Sequence, residues 1–285
     1  QHRDYCMRAA KAGIHVLCEK PLALSMREGE QIARATKKNK VKFMTAYRLH
    51  FEPANLAAIE WVRSGKIGEP RYFTSTFSFQ LADPKNIRTK RSQGGGALND
   101  IGVYCINAAR YLFGSEPTEV FAISVNKGDR RFREVDETTS VILRFPQERV
   151  ASFTVSFGAS TSGRYEVVGT KGSVALDPAY EYAQPLRLIV TIDDKTREKT
   201  FPLNDQFGGE IEAFSDCILD NREPESSAWE GVADLRVLDA IHKSTRTGRP
   251  VKLLPFVKKS RPDPTFVKRK PAIKPPKLVN VASEA

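Results

Sequence analysis

The stretch Ile14-His15-Val16-Leu17-Cys18-Glu19-Lys20-Pro21, followed by Ser25-Met26-Arg27-Glu28, decides the fold class. A short, mostly apolar run suits a strand buried on both faces, as in a parallel sheet. Pro21 keeps Lys20 out of the helical region, so the chain turns there. Ser25 and Glu28 have the S-x-x-E spacing of a capping box and predict a helix to about Lys38. Upstream, residues 3–12 read as a helix closed by Gly13. Downstream, Val41 to Ala46 reads as a second strand. Residues 52–64 read as a helix, with Pro53 in its first turn and Gly65 at its end. This alternation of helix and strand implies a parallel, doubly wound sheet.

The pattern then changes. Arg71 to Gln80 alternates aromatic residues with Ser and Thr, as a half-exposed strand does. Gly94 to Gly96 precede a helix over 99–113. Strand signals follow at 118–125, 138–145, 149–157, 164–169, 172–176, 186–192 and 197–201, which predicts an open, largely antiparallel sheet. Gly169-Thr170-Lys171-Gly172-Ser173 lacks the spacing of a phosphate loop and reads as a hairpin turn. Helices over 207–220 and 229–246 close the body, the second stopped by Gly248 and Pro250. Prolines at 255, 262, 264, 271, 275 and 276 exclude a regular helix beyond. That segment is expected either to be disordered or to lie as an extended arm on a partner subunit. The division implied is 1–48, 49–251 with its last helices packing back on the first part, and a tail over 252–285.

The chain has 285 residues and a net charge of +11, with an ordinary globular share of hydrophobic residues, 40%. No apolar run approaches the ~20 residues of a membrane span. From Lys252 onward nine basic residues accompany only Asp263 and Glu284, so most of the charge sits in the tail. A basic tail on a near-balanced body reads as a solvated tail and argues against a nucleic-acid partner. Cys6, Cys18, Cys105 and Cys217 form no C-x-x-C pair, which argues against a zinc site or disulfide framework. Buried, reduced thiols suit a cytoplasmic location, with periplasmic export left open.

Two places could carry chemistry. Lys20 stands at the carboxyl end of a strand, the edge at which doubly wound sheets bind ligands. Its charge could lower the pKa of a neighbouring phenol, or it could simply be solvated. In Gly94-Gly95-Gly96-Ala97-Leu98-Asn99-Asp100-Ile101-Gly102-Val103-Tyr104-Cys105-Ile106-Asn107, the residues Asp100, Tyr104 and Asn107 are spaced i, i+4, i+7 and share one helix face. They could project into a pocket. Equally, Asp100 could satisfy free N–H groups at a helix start, with Tyr104 a half-buried amphipathic residue.

The pairing of Ala12-Gly13-Ile14-His15-Val16-Leu17-Cys18-Glu19-Lys20-Pro21-Leu22-Ala23 with the glycine-rich segment ending at Tyr104 resembles the Gfo/Idh/MocA oxidoreductase family, over nearly all of residues 1–251. Most members carry His at the position of Tyr104 and Asp at that of Asn107. Tyr104, Asn107 and Arg110-Tyr111-Leu112 resemble the glucose–fructose oxidoreductase branch. So do Asp177-Pro178-Ala179 with Tyr182, and Thr245 to Val251. The resemblance implies an α/β plus α+β fold: a partial Rossmann-type domain, then a large open, mostly antiparallel sheet. It implies NADP as cofactor, NAD being possible, a sugar substrate, no metal, and a homodimer or dimer of dimers.

It also implies roles. Lys20 would hydrogen-bond the reacting hydroxyl and face the nicotinamide, with Lys20–Pro21 in cis. Tyr104 would exchange the proton. A phenol with a pKa near about 10 needs a cationic neighbour to do so near neutrality, and Lys20 is the candidate. Asp100 would orient the sugar and hold Lys20 charged. Glu19, Arg48, Arg88 and His2 match positions near the cofactor, and Tyr182 would contact the sugar. Surface salt bridges are the alternative for Arg48 and Arg88, helix capping for His2. A sugar- or dinucleotide-sensing regulator on the same fold is the alternative to an enzyme. No G-x-G-x-x-G follows a strand, and in the family it lies before the position of His2. These residues alone are therefore expected to lack the start of the dinucleotide fold and to bind NADPH weakly or not at all.

Overall fold

The computed structural model describes residues 1–258 and 260–274. Helix α1 (His2–Lys11) leads into strand β1 (Val16–Glu19), helix α2 (Met26–Lys38) and strand β2 (Phe43–Ala46). β1 and β2 pair in parallel, Val16 opposite Phe43 and Glu19 opposite Ala46. Half of the expected capping box forms. Ser25 Oγ accepts from the Glu28 N–H, while the Glu28 carboxylate accepts from the Leu24 N–H and not from that of Ser25. The expectation that β1 is buried on both faces is not met. Val16 and Leu17 are half-buried and Ile14 is 57% exposed, because β2 is the only strand beside β1 among the described residues.

After α3 (Pro53–Arg63) the chain builds one nine-stranded sheet. Its strands are β3 (Pro70–Ser78), β4 (Glu119–Val125), β5 (Thr138–Phe145), β6 (Arg149–Ser156), β7 (Ser162–Gly169), β8 (Gly172–Leu176), β9 (Leu186–Ile192), β10 (Lys195–Phe201) and β11 (Val251–Lys252). The order is β10-β9-β8-β7-β3-β6-β5-β4-β11, antiparallel throughout except for β3 beside β6. The 169–173 segment is the expected hairpin turn between β7 and β8. Strict alternation in β5 sends Thr139, Val141, Leu143 and Phe145 inward, and Ser140 and Ile142 outward. The inner face packs under α3 and under α4 (Val103–Phe113), with Phe73, Phe113 and Phe145 in edge-to-face contact. The outer face keeps Tyr72, Ile123, Ile142 and Val150 exposed.

Helices α5 (Gln206–Leu219) and α6 (Ala228–Thr247) return to the first strands, α6 along α2. The close approach of α6 to the turn after β1 requires glycine: a Cβ on Gly231 would lie 2.6 Å from Leu22 Cβ. All four cysteines are buried thiols. No helix among the described residues is long and apolar enough to cross a membrane.

The tail corrects an expectation. Among the described residues, parts of the segment from Leu253 to Lys270 run along this chain's own body, while residues 271–274 are exposed. The Leu253 N–H donates to the Thr118 carbonyl (2.8 Å) and the Lys268 N–H to that of Phe51 (3.1 Å). Lys258 pairs with Glu225 and, at 2.7 Å, with Glu230; Arg261 pairs with Glu116 at 2.7 Å. Those carboxylates are buried, and a buried charge requires a partner. The tail's cations satisfy the body's acids. Lys259, Pro275, Pro276 and Lys277 lie outside the described residues.

Candidate active site

Chain geometry brings Lys20, Asp100 and Tyr104 together from segments eighty residues apart. β1 ends at Glu19, and the Lys20–Pro21 peptide is cis. Lys20 Nζ donates to the Asp100 carbonyl (2.7 Å) and to Asp100 Oδ1 (3.1 Å). It lies 4.7 Å from the centroid of the Tyr104 ring. Asp100 Oδ2 accepts from Arg88 Nε at 2.6 Å.

The glycine run explains this placement. Gly94 and Gly96 have positive φ, +78° and +108°. A Cβ on Gly95 would lie 2.5 Å from the Arg88 carbonyl oxygen, so only glycine lets the two backbones meet. The Gly96 N–H donates to that carbonyl, which fixes Arg88 beside the helix start.

The helix opens with a π-turn over Leu98–Gly102. The π-turn ends before Tyr104, so Tyr104 and Asn107 keep the α-helical phase of α4. Asp100 and Tyr104 reach the site, but Asn107, expected on the same stripe, does not. It is buried behind, accepting from His50 Nε2 (2.7 Å) and donating to Glu230 and Asp234.

Electrostatics favour ionised partners. Burial would push the Asp100 carboxyl up, but the charges of Lys20 and Arg88 outweigh it and hold it below the usual carboxylate range. Burial would likewise depress Lys20, yet Tyr104 and Asp100 hold its ammonium above the ordinary value.

Arg48 is buried, not a surface salt bridge. One guanidinium nitrogen donates to Gln206 Oε1 and the other to the Tyr180 carbonyl (2.6 Å). Its guanidinium lies 5.0 Å from the Tyr104 ring and 5.3 Å from that of Tyr182. Arg48 thus links Tyr182 to the Tyr104 side of the site, and Tyr182 meets Phe207 edge-on. Arg88 does form a salt bridge, with Asp100 itself. Glu19 is exposed and accepts from the Lys20 N–H. His2 does not cap α1; its Nδ1 donates to the Pro21 carbonyl (3.0 Å), tying α1 to the Lys20 turn.

Gln206 and Glu210 were missed in the sequence. Glu210 is buried, and Oε2 has no hydrogen-bond partner among the described residues. Burial, reinforced by Glu19 and opposed by Arg48, pushes its pKa up to about 8. The available signal was a glutamate at helical spacing with Ala213, Phe214 and Cys217, in an otherwise apolar stripe.

An NAD-binding Rossmann-fold oxidoreductase family model matches residues 1–47, and a GFO/IDH/MocA C-terminal domain model matches residues 55–175. A D-xylose 1-dehydrogenase (NADP(+)) of Haloferax volcanii is 32% identical over 88% of this chain and 77% of its own. This chain belongs to the GFO/IDH/MocA oxidoreductase family. Among solved structures, an aldose-aldose oxidoreductase from Caulobacter crescentus superposes with a TM-score of 0.83 at 38% identity, over 88% of this chain and 76% of that one. A 3-ketoreductase from Actinomadura kijaniata, solved with NADP and TDP-benzene, gives 0.78 at 26% identity, over 85% and 74%.

Behind the site, this GFO/IDH/MocA chain buries a charge network. Arg110 is fully enclosed and pairs with Glu116 and Glu230, each at 2.7 Å, and with Asp234. Tyr47 donates to Asp234 (2.6 Å), and His50 contacts Glu225 (2.8 Å). Burial, partly opposed by Arg110, pushes Asp234 up to about 6.

Proposed function

We propose that this chain carries the site of an NAD(P)-dependent oxidoreductase acting at a CH–OH or C=O centre of a sugar, of the glucose–fructose oxidoreductase type. The supporting observation is the Lys20–Asp100 ion pair held against the face of Tyr104. Tyr104 is the proton donor or acceptor at the sugar oxygen. Lys20, kept charged by Asp100, donates to that oxygen. Asp100 orients the sugar, while Arg88 and Lys20 fix its carboxylate. Tyr182, held by Arg48, contacts the sugar beyond.

NADP, with NAD as the alternative, supplies or takes the hydride when bound. The residues present suit it. Lys20 is a half-buried cation and Arg48 a buried one, Glu210 Oε2 is enclosed without a partner among the described residues, and His2 steadies the Lys20 turn. Glu19, Lys20, Arg48, Arg88 and His2 would hold it. Residues 1–48 then belong to the dinucleotide domain, 49–251 to the substrate and dimerisation domain, and the described residues after 251 form an arm. A sensor on this fold would need no proton relay, which favours catalysis.

The test is Tyr104→Phe in protein carrying the complete dinucleotide-binding fold, assayed with NADP over a panel of aldoses. Turnover should fall about 10²-fold or more. Near-normal turnover would remove Tyr104 from the reaction. The exposed apolar outer face of the sheet supports a homodimer; a strict monomer in size-exclusion chromatography would overturn it.

A further inference from the structure

Glu210 has no part in the chemistry just described. It lies on α5 one turn beyond Gln206, whose amide oxygen holds Arg48, so both project from the same side of the helix. Glu210 is 3% exposed, and its Oε2 is enclosed without a partner among the described residues. Arg48, in the turn after β2, is held by Gln206 one turn before Glu210, and the charges of Glu19 and Arg48 act on the Glu210 carboxyl. Arg48 already donates to Gln206 and to the Tyr180 carbonyl. A buried carboxylate without a donor is costly, and the neutral acid, which is itself a donor, is the favoured form. The upward shift of its pKa to about 8 agrees.

We propose that Glu210 is a ligand-binding residue: as a neutral acid it donates a hydrogen bond to an uncharged oxygen of the ligand bound between Glu19 and Arg48. The inference rests on the proposed dinucleotide and sugar site and adds a donor to it. Glu19 nearby disfavours an anionic group there. The shared chemistry is a carbonyl or hydroxyl oxygen, from the nicotinamide carboxamide or from the sugar.

The experiment is a binding titration of NADPH by fluorescence across pH, with a parallel series for the sugar, on full-length parent, Glu210→Gln and Glu210→Met. Below the Glu210 pKa the donor is present; above it the donor is lost and a negative charge appears. Parent affinity should fall about tenfold between about pH 7 and about pH 9.5. Glu210→Gln keeps a donor and should stay flat, while Glu210→Met should be weaker by about tenfold at both ends. An effect in the NADPH series assigns the carboxamide, and one in the sugar series a hydroxyl.

Carbon-13 NMR of the Glu210 carboxyl gives a readout independent of turnover: its midpoint, about 8 in the free protein, should rise when ligand binds. An alkaline loss unchanged in Glu210→Gln, or a midpoint that ligand does not move, would overturn the inference. Full turnover by Tyr104→Phe would defeat the broader reading while leaving these binding measurements interpretable.

Discussion

Lys258→Met tests whether the C-terminal arm is part of the fold. The ammonium pairs with Glu225 and Glu230, and all three side chains are nearly enclosed, at 5%, 6% and 4% exposure. Removing one partner from a buried pair costs roughly 3–5 kcal/mol, because the remaining charge stays desolvated. Here Glu230 keeps Arg110 at 2.7 Å, and Glu225 keeps its contact with His50 at 2.8 Å. The loss should therefore lie at the lower end, about 3 kcal/mol, or about 10²-fold in the folding equilibrium.

Urea unfolding monitored by circular dichroism reads this as a lower midpoint at unchanged slope. Adding Glu225→Gln should recover about 1–2 kcal/mol, since it removes the stranded charge. pH gives the sign check. Burial opposes ionisation of Glu225, but His50 and Lys258 outweigh it and depress its pKa. Stability from a depressed carboxyl is present above the unfolded pKa and lost as pH falls through the folded one. The gap between parent and Lys258→Met should therefore be widest near neutrality and narrow on acidification. A variant within about 0.5 kcal/mol of the parent, the size of a surface substitution, would refute the reasoning.

Gly231→Ala should destabilise by about 1–2 kcal/mol: overpacking against Leu22 exceeds the roughly 1 kcal/mol that alanine gains in a helix, and a raised melting temperature would contradict it. Asp234 has a raised folded pKa, about 6, so its contribution is present below the unfolded value and lost as pH rises through about 6. Asp234→Asn should remove that decline between about pH 4 and about pH 6, measured as the difference between parent and variant unfolding curves; identical pH dependence in the two would count against it.

Most of the architecture was legible because its signals are local. Two-residue alternation marked β3 to β10, and proline and glycine marked the ends of α3 and α6. Lys20 and Asp100 could be placed at a strand end and a helix start. Family likeness to the paired motifs then supplied the partnership of Lys20 with Tyr104. Asn107 was misplaced because helical spacing does not reveal that His50, Glu230 and Asp234 pack against it.

By itself, then, the sequence determined the element order, the two kinds of sheet and the family, since each depends on neighbours along the chain or on motifs. Only the tertiary structure decided where charges end up. Lys258 and Arg261 look like solvent residues until Glu225, Glu230 and Glu116 are seen buried beneath them. Glu210 looks like a surface acid until α5 is seen to bury it one turn beyond Gln206, which holds Arg48. The physical reason is that the energy of a charge is set by its desolvation and its partner. Both depend on packing between segments far apart in the chain.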